Sequence, residues 1–282
     1  MPELSLKQWG ISYLIGLGLL VLAVFQFADV HHHLKVSVLG VGQGDSILLQ
    51  TPEYHNILID AGPDSKTVDR LGEELGFFDK TIDLFILTHP HNDHYGGVLD
   101  VMQKYKIKKV ILTGVASGDP VYRTILETAK ASGAEFQFIQ NNQDIQIAPS
   151  LYLDILYPFS DRSLVGQEAG NINNTSIVAR LLQRTSDEWE NLMLLTGDAE
   201  QEEEREILLS GQDVQSGVLK IGHHGSKTAT SIPFLNAVNP TTAVISVGEG
   251  NKFGHPHAET IEKLSGLSVR QTMAEGTIKF EF

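Results

Sequence analysis

Three of the chain's eleven histidines fall within six residues, in the run His89-Pro90-His91-Asn92-Asp93-His94. The run directly follows the apolar stretch Leu84-Phe85-Ile86-Leu87 and precedes Gly96-Gly97 and a helical pattern. The chain must therefore place four ligand-type side chains on one strand-to-helix loop. It contains no cysteine, so any metal has to be held by imidazole and carboxylate, the set that suits Zn²⁺, Mn²⁺ or Fe. Alternating spacing across such a loop lets one pair face one ion and the next pair a second. A chance surface cluster is the competing reading, and the H-x-H-x-D-H order at a strand end argues against it.

The same grammar recurs along the chain. Leu34 to Val38, Ile47 to Leu49 and Ile57 to Ile59 read as three strands of an antiparallel meander punctuated by glycine turns. Leu84–Leu87, Val110–Leu112 and Phe136–Ile139 are strands separated by helices from about Tyr95 and from Tyr122 to Ala131. The second half offers strands at Leu151–Leu156, Ser176–Leu182, Leu192–Leu195, Val218–Ile221 and Ala243–Ser246, then two closing strands. Its helices are expected over Glu200–Leu209, near Phe234 and from Ala258. No linker-like run divides residues 34–282, which points to one domain of α/β or α+β class with two sheets packed face to face.

Two later strand ends carry the same kind of residue. Asp198 follows Leu194-Leu195-Thr196-Gly197; alone it reads as a helix N-cap, but beside a metal loop it reads as a carboxylate that bridges two cations. His223-His224-Gly225-Ser226 follows Val218–Ile221, and two adjacent imidazoles cannot face the same way, so one holds metal and one faces substrate. His224 is carried as the ligand and His223 as the catalytic side chain, with the exchange of roles left open. Ser226, Lys227, His255 and His257 are candidates for contact with a substrate phosphate or leaving group; His257 reads equally well as a helix start.

Lys and Arg number 21 against 35 Asp and Glu, a net charge of −14, which excludes a protein that grips nucleic acid by bulk charge. Lys104, Lys106, Lys108 and Lys109 form one local basic cluster, read either as a solvated helix end or as a groove for an anion. Residues 11–28 are uncharged and mostly apolar and predict a membrane anchor, or a cleaved signal segment, making residues 1–33 a leader and linker. With Lys7 the only basic side chain before that stretch, the following domain is expected outside the cytoplasm, membrane-anchored or secreted. His31-His32-His33 then reads as a solvated linker. No protein partner is expected.

Taken in order, several short motifs resemble the metallo-β-lactamase superfamily, and within it the ComEC-type branch of DNA-uptake competence proteins. They are Val41-Gly42-Gln43-Gly44-Asp45-Ser46, Ile57-Leu58-Ile59-Asp60-Ala61-Gly62, Thr88 to His94, Asn173-Asn174-Thr175-Ser176, Leu195 to Glu200, His223 to Ser226 and Gly254-His255-Pro256-His257. The resemblance spans about residues 34–282. It implies an αββα sandwich of two mixed sheets with helices outside. It implies metal binding by His89, His91, Asp93, His94, Asp198 and one of the paired histidines. It also implies that Asp60 is the buried carboxylate orienting the histidine loop. Gly40 stands where the family's first motif usually has Asp. His91 completes a histidine set in which many ComEC-type chains have Asp. No histidine lies between His94 and His223, so the additional imidazole of glyoxalase-type and β-lactamase members is missing, with Asn173 or Asn174 the residues expected in that space.

These readings converge on a hydrolase with two divalent metal ions, zinc or manganese, in which Asp93 or Asp198 takes a proton from water. The expected substrate is a phosphodiester, either DNA or a cell-wall phosphodiester. A non-catalytic module that binds DNA or a partner in an uptake apparatus is the alternative from a different class. β-Lactam hydrolysis is disfavoured by the missing middle histidine. Substrate choice is expected to rest on the loops Ser160 to Gly170 and Ser226 to Ile232.

Overall fold

The computed structural model of the chain describes residues 6–27, 33–139, 144–159, 163–186 and 188–282. Strands β1 (Lys35–Val38), β2 (Ile47–Gln50), β3 (Asn56–Ile59), β4 (Thr81–Leu87), β5 (Lys106–Leu112) and β6 (Glu135–Phe138) lie in that order in one sheet. The other holds β7 (Ile145–Ala148), β8 (Leu151–Tyr157), β9 (Val178–Arg184), β10 (Trp189–Leu195), β11 (Val218–Lys220), β12 (Thr242–Ile245) and β13 (Ser268–Gln271). The last strand, β14 (Ile278–Glu281), returns to the first sheet and pairs antiparallel with β1, giving two sheets of seven strands. Each sheet is antiparallel at one end, through β1-β2-β3 and β7-β8-β9-β10, and parallel at the other, through β3 to β6 and β10 to β13.

The period-two pattern of the strands sorts their side chains into layers. Ile57 and Ile59 of β3 and Ile86 of β4 enter the space between the sheets, where they meet Ile155, Met193 and Leu195 from the second sheet. Leu58, Phe85 and Leu87 face the other way. Helix α1 (Leu6–Phe27) precedes the sheets; α2 (Lys66–Glu74), α3 (Asn92–Tyr95), α4 (Val98–Lys104) and α5 (Pro120–Ala131) then supply Leu71, Val98, Val101, Tyr122 and Ile125 to that outer layer. On the far side α6 (Gln201–Leu209), α7 (Ile232–Val238), α8 (Ala258–Lys263) and α9 (Thr272–Glu275) follow, with Ile207, Phe234 and Leu235 packed on Leu194, Leu219 and Ile245 of the second sheet. The expected αββα sandwich of two mixed sheets is the fold observed.

Local signals explain where the helices start. Asp119 accepts a hydrogen bond from the Val121 amide ahead of α5, and Ser231 accepts one from the Phe234 amide ahead of α7, each with proline in the first turn. Three elements were not anticipated from sequence: α2, β7 and the single-turn α9. Only Thr67 and Leu71 of α2 are buried, too few apolar positions for a legible stripe.

The expectation of a membrane anchor through residues 11–28, and with it of a membrane-anchored domain, is overturned: among the described residues no helix is long and apolar enough to cross a membrane. Helix α1 intersperses Gly10, Ser12, Gly16 and Gly18 among its apolar residues. Ala28, His31 and His32 lie outside the described residues. The lysine cluster sits at the start of β5, where Lys106 pairs with Thr81, whereas the histidine loop leaves the opposite end of β4 after Leu87. Lys108 is paired with Asp83 at 2.7 Å and Lys109 with Glu135 at 3.7 Å. That cluster is no groove beside the histidines.

Candidate metal centre

The ligand-type residues converge where the parallel strands of both sheets end. Asp60 follows β3, His89 follows β4, Asp198 follows β10, and the turn Gly222–Gly225 follows β11. Strand ends of parallel sheets suit this because their loops are free to point side chains at one another across the crevice.

Asp198 is the hub. Its Oδ2 lies 3.3 Å from His94 Nε2, 3.4 Å from His224 Nε2, and 3.9 Å from both His89 Nε2 and His223 Nε2. His224 Nε2 is also 3.3 Å from Asp93 Oδ2. On the other flank His89 Nε2 is 3.2 Å from His91 Nδ1. One atom each from Asp93, His94, Asp198 and His224 forms a cluster within 4.8 Å.

Each of these rings is held from behind. Asp60, 1% exposed and in the left-handed region at φ 57°, accepts from the Thr88 amide at 2.8 Å and from the Thr88 hydroxyl at 2.7 Å, and its Oδ2 lies 2.7 Å from His94 Nδ1. That pairing puts the proton on His94 Nδ1 and leaves Nε2 to face Asp198. His224 Nδ1 is bonded to the Ser246 carbonyl at 2.9 Å, again presenting Nε2. His89 Nδ1 is within 3.0 Å of the Thr88 hydroxyl and 3.3 Å of the Ser176 hydroxyl. His223 and His224 both adopt left-handed backbone, φ 46° and 53°, a strained turn that fans their rings apart.

Electrostatics agree with a cation site. Burial pushes His94 and His224 towards the neutral form, yet Asp198 with Asp60 and Asp45 overrides it and holds both rings well above the usual imidazole range. Burial, followed by the neighbouring His94, keeps His89 well below that range, and burial lowers His91. His255, buried beside His223, is brought down to about 4. The inward nitrogens His94 Nε2 and His224 Nε2 and the oxygen Asp198 Oδ1 have no hydrogen-bond partner. Buried polar atoms without partners are costly, and here they surround one point with an imidazole and carboxylate donor set. The residues present fit divalent metal.

Asn173 stands beside His223, its Nδ2 3.3 Å from His223 Nδ1, so it lies near the space expected for the missing imidazole. Asn174 turns away, accepting from the Glu200 amide at 3.2 Å and donating to Glu202 at 3.2 Å. The His255 ring centre is 5.5 Å from that of His223 and 4.8 Å from that of His257. His257 Nδ1 accepts from the Lys227 amide, while the Lys227 side chain is exposed. Ser226 is buried and shares a 2.8 Å hydrogen bond with Thr228 rather than facing the cluster.

Three participants were not assigned from sequence. Lys220, fully buried mid-sheet, pairs its Nζ with Asp45, donates to the Gly197 carbonyl at 3.0 Å and lies 4.0 Å from Asp198 Oδ1. Burial raises Asp45, but Lys220 and His224 bring it down to about 2. Glu200 lies 2.9 Å from His223 Nδ1. Asp45 and Glu200 both sit in glycine-marked turns next to known motif residues; Lys220, in an apolar strand, gave no comparable signal.

Residues 39–117 match the family described as Metallo-beta-lactamase superfamily. The chain is 28% identical to ComE operon protein 3 of Bacillus subtilis (strain 168), over 88% of this chain and 33% of that protein. It is 26% identical to Competence protein ComA of Neisseria gonorrhoeae, over 98% of this chain and 36% of that one. It thus spans about a third of the length of these curated relatives. Among solved structures the metallo-beta-lactamase fold protein YhfI from Bacillus subtilis aligns with a TM-score of 0.57 at 13% identity, covering 89% of this chain and 100% of that one, a likeness of fold. The chain has the metallo-β-lactamase fold, typically that of metal-dependent hydrolases, and holds a candidate His/Asp metal site. Its relatives named above are ComEC-type competence proteins.

Proposed function

We propose that this protein is a phosphodiesterase with two divalent cations, zinc or manganese, acting on DNA or a cell-wall phosphodiester. The observation that carries the reading is Asp198 Oδ2, which stands within 3.9 Å of four imidazole nitrogens drawn from both sheets. His89 Nε2 is also 3.2 Å from His91 Nδ1, and His224 Nε2 is 3.3 Å from Asp93 Oδ2, so His89 with His91, and Asp93 with His94 and His224, would offer two ligand sets about that carboxylate. Bound cations would supply Lewis-acid polarisation of the phosphate and a lowered pKa for attacking water.

The chain's own groups do the remaining work. Asp60, through His94 Nδ1, and the Ser246 carbonyl, through His224 Nδ1, fix which nitrogens face inward. Burial raises Asp93, but the hydrogen bond and charge of His224 with the charge of His94 hold its carboxyl well below the usual range, so it stands ready as a proton acceptor. His223 is backed by Glu200 and partly exposed, placing its Nε2 where it reaches a leaving oxygen.

Elemental analysis of the purified chain, followed by hydrolysis of bis(p-nitrophenyl) phosphate with Zn²⁺ or Mn²⁺ added, tests this. The expected result is about two metals per chain and turnover lost at least a hundredfold in Asp198→Asn. Metal binding with no turnover of the test ester, DNA or cell-wall diesters, and unchanged DNA binding in an Asp93→Asn/Asp198→Asn double variant, would replace the enzyme with the binding module.

A further inference from the structure

Helix α6 opens with Glu202-Glu203-Glu204, and the three carboxylates have different fates. Glu204 accepts from the Thr230 and Ser231 amides and anchors the next loop. Glu202 is exposed and accepts from Asn174. Glu203 is 1% exposed, and neither of its carboxyl oxygens has a hydrogen-bond partner. It stands in the wall of a cavity of about 440 Å³ that also takes Glu168, Glu202 and Glu206 together with Val115, Tyr157 and Leu164. No lysine or arginine among the described residues lines it.

Four acidic side chains, Glu206 being the fourth, with no basic one among the described lining residues call for a cation. The choice between a metal ion and an organic cation follows from the rest of the wall. Calcium or magnesium wants oxygen on every side. Here Val115, Tyr157, Leu164 and Ala169 take part of the wall beside the neutral polar groups of Gln167, Asn171, Asn174 and Thr175, and the cavity's volume suits a small organic group. An ammonium bearing carbon substituents satisfies both kinds of group, its charge against the glutamates and its carbons against Val115, Leu164 and the Tyr157 ring.

The cavity adjoins the metal centre through two of its own lining residues. Asn171 Nδ2 donates to Glu200 Oε2 at 2.9 Å, Asn174 Oδ1 accepts from the Glu200 amide, and Glu200 Oε1 backs His223. We propose that this cavity is a subsite for an organic ammonium group on one arm of the phosphodiester, so that the preferred substrates are diesters of amino alcohols. This rests on the phosphodiesterase reading and names its substrate class. In the reaction water adds its oxygen to phosphorus, the bond from phosphorus to the leaving oxygen breaks, and the water's proton ends on that oxygen. The ammonium arm stays on the phosphomonoester or leaves as the alcohol according to which bond breaks.

Two p-nitrophenyl diesters of equal shape test the subsite, one carrying a 2-(trimethylammonio)ethyl arm and the other a neutral 3,3-dimethylbutyl arm. The full chain should favour the cationic ester in kcat/KM by roughly tenfold, and the ratio should fall towards one in Glu203→Gln and in Glu202→Gln. The second variant alters an exposed residue and so separates loss of the subsite from loss of the fold. Equal kcat/KM for the two esters, with turnover intact, overturns the subsite and leaves the phosphodiesterase standing. Direct titration of tetramethylammonium into the Asp198→Asn chain needs no turnover. Saturable binding there, lost in either glutamine variant, upholds the subsite even if no diester is cleaved, in which case the enzyme reading alone falls. Displacement of tetramethylammonium by Ca²⁺ or Mg²⁺ at lower concentration makes it a metal site and overturns the proposal.

Discussion

Asp60 touches no inward-facing atom of the cluster, yet three hydrogen bonds tie it to Thr88 and His94. Asp60→Asn keeps the shape and removes the charge that fixes the His94 tautomer, so metal affinity should fall about 10- to 100-fold, read by competition with a chromogenic chelator. Glu203 gives a prediction in pH. Burial, with Glu204 and Glu206 next to it, raises its carboxyl well above the ordinary 4.5, so the folded protein with its cavity empty keeps a proton that the unfolded chain releases and that a bound ammonium would displace. That difference subtracts stability as pH rises from about 4.5 towards the folded value. Glu203→Gln should therefore raise Tm, by little at pH 4 and by more at pH 8; a gap of constant size across the range would contradict it. At this scale the metal-type residues were legible because imidazole and carboxylate crowd three strand ends. Lys220 and Glu200 were not, because their partners Asp45 and His223 are fixed only by how two sheets meet or a turn folds.

Among the elements, the loop that follows β1 does more than connect strands. Gly44 has φ 143°, and a Cβ built there would overlap the Asp93 carbonyl, while its own carbonyl accepts from Ser246 at 2.7 Å. Gly44→Ala must displace either its own loop or the histidine loop. The expected outcome is a marked fall in metal per chain at a modest cost in denaturant midpoint, and normal metal content in a folded variant would refute it. The central strands were readable because they are continuous apolar runs, buried on both faces. Helix α2 was not, because Thr67 and Leu71 carry its burial within a largely polar segment. Helix α6 carries acids in its first turn, where the helix dipole favours them, but two of them, Glu203 and Glu204, are buried.

For the molecule as a whole, the centre draws His89, His91, Asp93 and His94 from one sheet and Asp198, His223 and His224 from the other, so bound metal acts as a clasp between the halves. A ligand present at a hundred times its Kd adds about 2.7 kcal/mol to stability. Chelation should lower Tm of the full chain by several degrees in scanning calorimetry, and Asp198→Asn should abolish the difference between metal-loaded and chelated protein. The αββα arrangement was legible because both halves repeat one strand-and-helix grammar. The N-terminal segment was misread because apolar composition alone stood in for a span, and no described helix meets that standard.

The pairing of β14 with β1, extended by reciprocal hydrogen bonds between Leu34 and Phe282, has a consequence for biosynthesis. A ribosome delivers β14 long after β1. Until it arrives the outer edge of β1 waits without its neighbour, offering unpaired amides and carbonyls to any passing strand. Val36 and Val38, fully buried in the finished sheet, wait with it. The first sheet can be completed only after residue 281 has emerged, so its assembly waits on that late strand, and loss of β14 would turn a transient exposed edge into a permanent one.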